Sequence, residues 1–110
     1  LLLAPTADPG AAPALENAKR LYSALTDGHV EKDLLDADLT AYFTPEAIAD
    51  FSASLKAVGA PISFTQSSRQ DRGGMTHRGF TVRTAVKTLR ISAFITPDGR
   101  FSQFLISPVD

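Results

Sequence analysis

The sequence predicts an α+β domain in which N-terminal helices pack on one face of a curved, four-stranded antiparallel sheet. Three observations carry that expectation. Apolar residues recur at helical spacing as far as Val58, the period changes to two after Pro61, and glycine and proline turn signals punctuate the second half. Helices followed by strands, all joined by short connections, make an α+β layer structure rather than alternating βαβ units.

Leu15, Ala18, Leu21, Tyr22 and Leu25 fall within about 120° of arc at roughly 100° per residue, the stripe of a core-facing amphipathic helix. Pro13 suits its first turn, Lys19 and Arg20 face water, and Asp27-Gly28 stops it. Residues 29–34 read as a loop or short turn. Leu35, Leu39, Tyr42 and Phe43 share a face, which predicts a short helix over 36–43. Thr44-Pro45-Glu46 then supplies an N-cap, a proline at the first helical position and a carboxylate at the positive end of the dipole. Ile48, Phe51, Leu55 and Val58 form the stripe of this third helix, which Gly59 closes and Pro61 bars from continuing.

Beyond Pro61, Ile62, Phe64 and Gln66 alternate with Ser63, Thr65 and Ser67. Phe80, Val82, Thr84 and Val86 alternate with Thr81, Arg83, Ala85 and Lys87, and Leu89, Ile91, Ala93 and Ile95 with Arg90, Ser92 and Phe94. A fourth strand is read over Phe101–Ser107. Gly73-Gly74 and Pro97-Asp98-Gly99 mark two hairpins, whereas the turn near Lys87-Thr88 carries no glycine.

With 110 residues, 44% of them apolar, the chain forms one domain. The absence of cysteine removes disulfide frameworks, thiolate nucleophiles and cysteine zinc sites, and no stretch approaches the ~20 apolar residues of a membrane span. Residues 1–13 read as a flexible leader, either the end of a signal peptide or a linker remnant, because three leucines run into a segment rich in alanine and proline. The domain proper is then 14–110. A cysteine-free chain suits export as well as the cytosol.

Eleven basic residues against twelve acidic ones exclude a general polyanion or nucleic-acid binder. That neutrality is uneven. Residues 1–68 hold four basic and nine acidic side chains, and residues 69–110 hold seven and three. Arg69, Arg72, Arg78, Arg83, Lys87 and Arg90 therefore predict a basic strip across the sheet, with Arg83, Lys87 and Arg90 as a candidate anion site or acidic-partner face. The competing reading is a solvated outer face whose long side chains cover apolar surface and blunt edge pairing. Stacking of nucleic-acid bases would need interleaved aromatics, and only Phe94 has the required parity.

The order of elements resembles the nuclear-transport-factor-two-like superfamily, the cystatin-like cone of helices and curved sheet that encloses a pocket. The run Leu55-Lys56-Ala57-Val58-Gly59-Ala60-Pro61 leading into Ile62 and Phe64 is similar to the small domains of that superfamily that accompany bacterial serine hydrolases of the penicillin-binding and β-lactamase type. So are the strand Gly79-Phe80-Thr81-Val82 and the closing Pro97-Asp98-Gly99-Arg100-Phe101 with Leu105 and Pro108. The resemblance implies an exported bacterial accessory domain, a ligand pocket, a fused or neighbouring hydrolase as partner, and pairing through the sheet into a homodimer.

Acid–base chemistry needs a titratable group held within hydrogen-bond reach of its substrate proton. Tyr22 is similar in position to the tyrosine from which the superfamily's isomerases donate to an oxyanion, with Asp33 or Asp38 as candidate base. The bland reading gives Tyr22 and Tyr42 core-packed rings with wet hydroxyls, and gives Asp33, Asp36 and Asp38 capping and solvating roles. His29 and His77 lack metal-ligand spacing, so neither a metal nor a cofactor is expected. The serines lack a nucleophile elbow and an SxxK lysine, and Gly73-Gly74 lacks a phosphate loop's lysine and helix. The function expected is non-catalytic binding, dimerisation or positioning beside an exported serine hydrolase. The alternative is a small-molecule isomerase or dehydratase using the cone.

Overall fold

Residue 8 and residues 10–109 are described by the computed structural model. In chain order they form α1 (Ala11–Asp27), a 3-10 turn (Lys32–Leu34), α2 (Ala37–Tyr42) and α3 (Pro45–Val58). The strands β1 (Ser63–Arg72), β2 (Met75–Arg83), β3 (Thr88–Ile95) and β4 (Phe101–Val109) follow. They pair as one antiparallel meander in the order β1-β2-β3-β4, which is the α+β class the periodicities predict. Most of the expected leader, residues 1–7 and 9, lies outside the described residues. Ala11–Pro13 belong to α1, whose first turn tolerates Pro13 because the amide there has no helical partner.

Local chemistry sets the helix ends. Gly28 takes a left-handed conformation (φ 91°), and the amides of Gly28 and His29 donate to the carbonyls of Leu25 and Ala24, a Schellman closure of α1. Asp36 caps α2 by accepting from the Leu39 amide at 2.9 Å, and Thr44 caps α3 by accepting from the Ala47 amide at 3.2 Å. The α3 helix is tied to α1 by the buried Ser52, whose hydroxyl donates to the Thr26 carbonyl at 2.8 Å. That bond satisfies one of the carbonyls left open at the C-terminus of α1.

Two single-residue insertions interrupt the pleat. In β1, Gln66 pairs with Phe80 and Ser68 with Gly79, so Ser67 is extra. In β4, Gln103 pairs with Phe94 and Phe101 with Ile95, so Ser102 is extra. Each bulge moves the residues beyond it to the opposite face. Phe101 and Phe104 consequently both point inward, with ring centroids 5.2 Å apart. Gly79 makes room beside the β1 bulge, since a Cβ there would lie 2.5 Å from the Ser68 hydroxyl and would force it to turn away. The inner face presents Phe80, Val82, Leu89, Ile91, Ala93 and Phe104 to a single core, which the α1 stripe of Ala18, Leu21, Tyr22 and Leu25 completes.

The three hairpins use different chemistry. Gly73 and Gly74 both have positive φ, the demand of a two-residue hairpin that follows strand twist, whereas the longer β3–β4 loop places the single positive-φ Gly99 after a turn closed by the Gly99 amide on the Thr96 carbonyl. The glycine-free connection between β2 and β3 is built by Thr84. Its hydroxyl accepts from the amides of Val86 (3.2 Å) and Lys87 (3.1 Å) and donates to the Lys87 carbonyl (2.7 Å). Thr84→Ala removes all three bonds from an exposed turn and should lower the unfolding free energy by about 1 kcal/mol. Urea denaturation checks this, with Thr84→Ser, which keeps the hydroxyl, recovering most of the loss.

Candidate functional site

Of the grooves bordering α3, two have walls that include the sheet or the entry to it, and a third lies between α3 and the end of α1 at Asp27 and Gly28. The first, about 420 Å³, lies between α3 and the β3–β4 end of the sheet, with Phe51, Leu55, Leu89 and Ile106 in its wall. Exposed Asp50, Lys87 and Tyr42 supply its charged and phenolic groups. The second, about 660 Å³, lies between α1, the end of α3 and the entry to β1; Tyr22, Thr26, Lys19, Lys56, Ile62 and Phe64 border it. Ile62, 71% exposed, is the large apolar side chain most open to solvent there.

Tyr22 is buried on the α1 stripe, its ring edge-on to Phe64 with centroids 5.6 Å apart. Its hydroxyl is buried without a hydrogen-bond partner among the described residues, and that burial pushes the phenol above its ordinary pKa. The aspartates that sequence reasoning paired with it stand elsewhere. Asp33, in the 3-10 turn, is exposed and faces the Arg20 guanidinium at 3.4 Å. Asp38 lies in the first turn of α2, beside a shallow depression bordered by residues 102–105 of β4. Asp36 is committed to its cap. Tyr22, Asp33 and Asp38 are thus not brought together.

The histidines are also apart. His29 follows the α1 closure, and His77 lies in β2 on the outer face, where Nε2 contacts the Ser92 hydroxyl at 2.7 Å and the ring meets Phe94 at 5.0 Å. Among the described residues no three His, Asp or Glu side chains gather in a metal-binding group.

The basic side chains divide between the two faces. Arg83, opposite Ser63 and Thr88, and Arg90, opposite Thr81 and Ser107, share the outer face. Lys87 belongs to the β2–β3 turn and borders the first groove. Arg78 does not join a strip on the outer face as the charge count suggested. It has the parity of Phe80 and Val82, points inward and is 5% exposed. That parity was readable in β2 once Phe80 was assigned to the core. Its partner was not readable: Arg78 Nη1 and Nη2 donate to Asp8 Oδ2 (2.8 Å) and Oδ1 (2.9 Å), across 70 positions of sequence.

Comparison with protein-family models, with curated proteins and with solved structures finds no match to this chain.

The Asp8 carboxyl is held below its ordinary pKa, first by the hydrogen bonds from Arg78 and then by the charges of Arg78 and Arg69, against some desolvation. A carboxylate lowered in the folded state stabilises fully above its unfolded pKa, and the contribution is lost as pH falls through the lower folded value. The gap in melting temperature between the wild type and Asp8→Asn should therefore be constant above about pH 5 and close only below pH 4. Thermal melts of both proteins across pH 2–7 check this.

Proposed function

We propose that this domain is a non-catalytic binding and positioning module that serves a neighbouring exported hydrolase of the penicillin-recognising serine type. The observation that carries the non-catalytic part is the separation of Tyr22, Asp33 and Asp38. General acid–base catalysis requires its groups within hydrogen-bond reach of one substrate position. Here the tyrosine hydroxyl is buried without a partner, one aspartate is paired to Arg20 at the surface, and the other lies beside β4.

The grooves beside α3 support a binding role instead. Pockets that hold ligands or side chains combine an apolar wall with a few polar groups that orient the guest. The first groove has that composition, with Phe51, Leu89 and Ile106 in its wall and Asp50 and Lys87 for orientation. The helices-then-meander order supports the resemblance to the nuclear-transport-factor-two-like cone, and the accessory role beside a hydrolase follows from that resemblance.

Two measurements test the reading. The native reading frame around this segment should encode a serine hydrolase, and removing the domain should raise the KM for a large envelope substrate while leaving kcat on a small ester unchanged. Tyr22→Phe should melt at or above the wild-type temperature, because the hydroxyl it deletes is buried and unpaired. The proposal is overturned if the isolated chain turns over a small molecule and Tyr22→Phe abolishes that turnover while melting is unchanged.

A further inference from the structure

Arg78 is the one charged side chain buried among the described residues. A guanidinium in that position needs an anion, because an unpaired buried charge is strongly destabilising. The sheet adds a second cation beside it. With Ser67 inserted, Arg69 falls directly opposite Arg78 on the inner side of the β1–β2 pair. Like charges opposed across two strands repel unless something negative lies between them.

Three further features shape the same place. Gln66 Oε1 accepts from Arg78 Nη1 at 3.0 Å, which fixes the plane of the guanidinium. The α1 helix starts against it: a Cβ on Gly10 would lie 2.9 Å from Arg78 Nη2, so a larger residue there would push the guanidinium aside. That helix start has no side-chain cap and no acidic residue in its first turn, so its positive end adds to the two arginines. Asp71 meets Arg69 from the exposed side at 3.4 Å and leaves the Arg78 fork to another carboxylate.

Asp8 fills the gap. Its two oxygens accept the parallel bonds from Arg78, and Oδ1 lies 3.8 Å from Arg69 Nη1. An arginine fork taking both oxygens is the geometry by which proteins recognise carboxylates. Asp8 lies outside every helix and strand, held to the fold otherwise by its carbonyl, which accepts from the Ala11 amide at 3.0 Å. It has the position of a tethered ligand.

We propose that Arg78, Arg69 and Gln66 form a carboxylate-binding site that Asp8 occupies from the same chain, and that takes the carboxylate of another molecule when Asp8 is withdrawn. Tethering gives Asp8 a high effective concentration, so an outside carboxylate enters only when the Asp8 side chain leaves the fork.

Asp8→Ala empties the site while leaving its walls. This variant should melt roughly 5 °C or more below the wild type. Sodium acetate should raise its melting temperature saturably, beyond sodium chloride of equal ionic strength, and should give the wild type no such rise. Arg78→Met in the Asp8→Ala background should abolish the acetate effect. A blocked Asp-Pro-Gly peptide distinguishes the source: saturation at lower concentration than acetate identifies a polypeptide carboxylate as the natural guest, and equal or weaker binding identifies a free acid. If Asp8→Ala does not fold, the same titrations are run on Asp8→Asn, which keeps the side-chain shape. The proposal falls if acetate acts no better than chloride, or if removing the Asp8 carboxylate leaves melting unchanged.

Discussion

A β-strand turns successive side chains to opposite faces, and the two residues inserted into this meander, Ser67 and Ser102, decide what it turns inward. With unbroken alternation in β4, Phe101 would share a face with Gln103 and Leu105, and only one of the two phenylalanines could reach the core. The insertion lets Phe101 and Phe104 both pack there and leaves Leu105 45% exposed. In β1 the same device brings Arg69 to the side occupied by Gln66 and Arg78. One bulge completes an apolar core, and the other concentrates positive charge at the edge of the inner face.

The helical layer follows from what that inner face offers. Leu21 and Leu25 of α1 join Phe80, Ile91 and Phe104 in one cluster, and burial of side chains of this size is worth about 1.5–3 kcal/mol each. The α3 helix is secured to α1 through Ser52 and the Thr26 carbonyl. Its apolar stripe is only partly used: Leu55 and Val58 are buried, while Ile48 and Phe51 remain half-buried. The grooves on either side of α3 come from this arrangement, a helix held by its neighbour and incompletely covered by the sheet.

What the sequence made legible was what local rules govern. The stripes of α1 and α3, the Thr44 and Asp36 caps, the Gly28 stop and the glycine hairpins depend on residues within a few positions of one another. The Thr84 turn was hidden because a hydroxyl that bonds two amides and a carbonyl does without the glycine that marks most hairpins. The bulges were hidden because an inserted serine looks like any other polar strand residue, although Gly79 in the middle of β2 was a trace of one of them. Of the candidate site residues, Tyr22 could be placed by periodicity alone. Its distance from Asp33 and Asp38 could not, because that depends on how the 3-10 turn and α2 pass under β4.

The uneven charge of the two halves has a specific structural outcome. Arg20 pairs with Glu31 and Asp33 among the helices, and Arg69 with Asp71 and Arg100 with Asp98 within the sheet. Exposed pairs of this kind contribute little. Among the described residues, only Asp8 carries an ion pair from the acidic half to the basic one, and it does so at the single buried arginine. The electrostatic attachment of the start of α1 to the sheet therefore rests on one carboxylate. Arg83, Lys87 and Arg90 have no ion-pair partner among the described residues, so the basic excess of the sheet half remains at the surface. The buried ion pair therefore sits at one end of α1, beside an otherwise apolar core, while the unpaired cations of the sheet half stay in solvent.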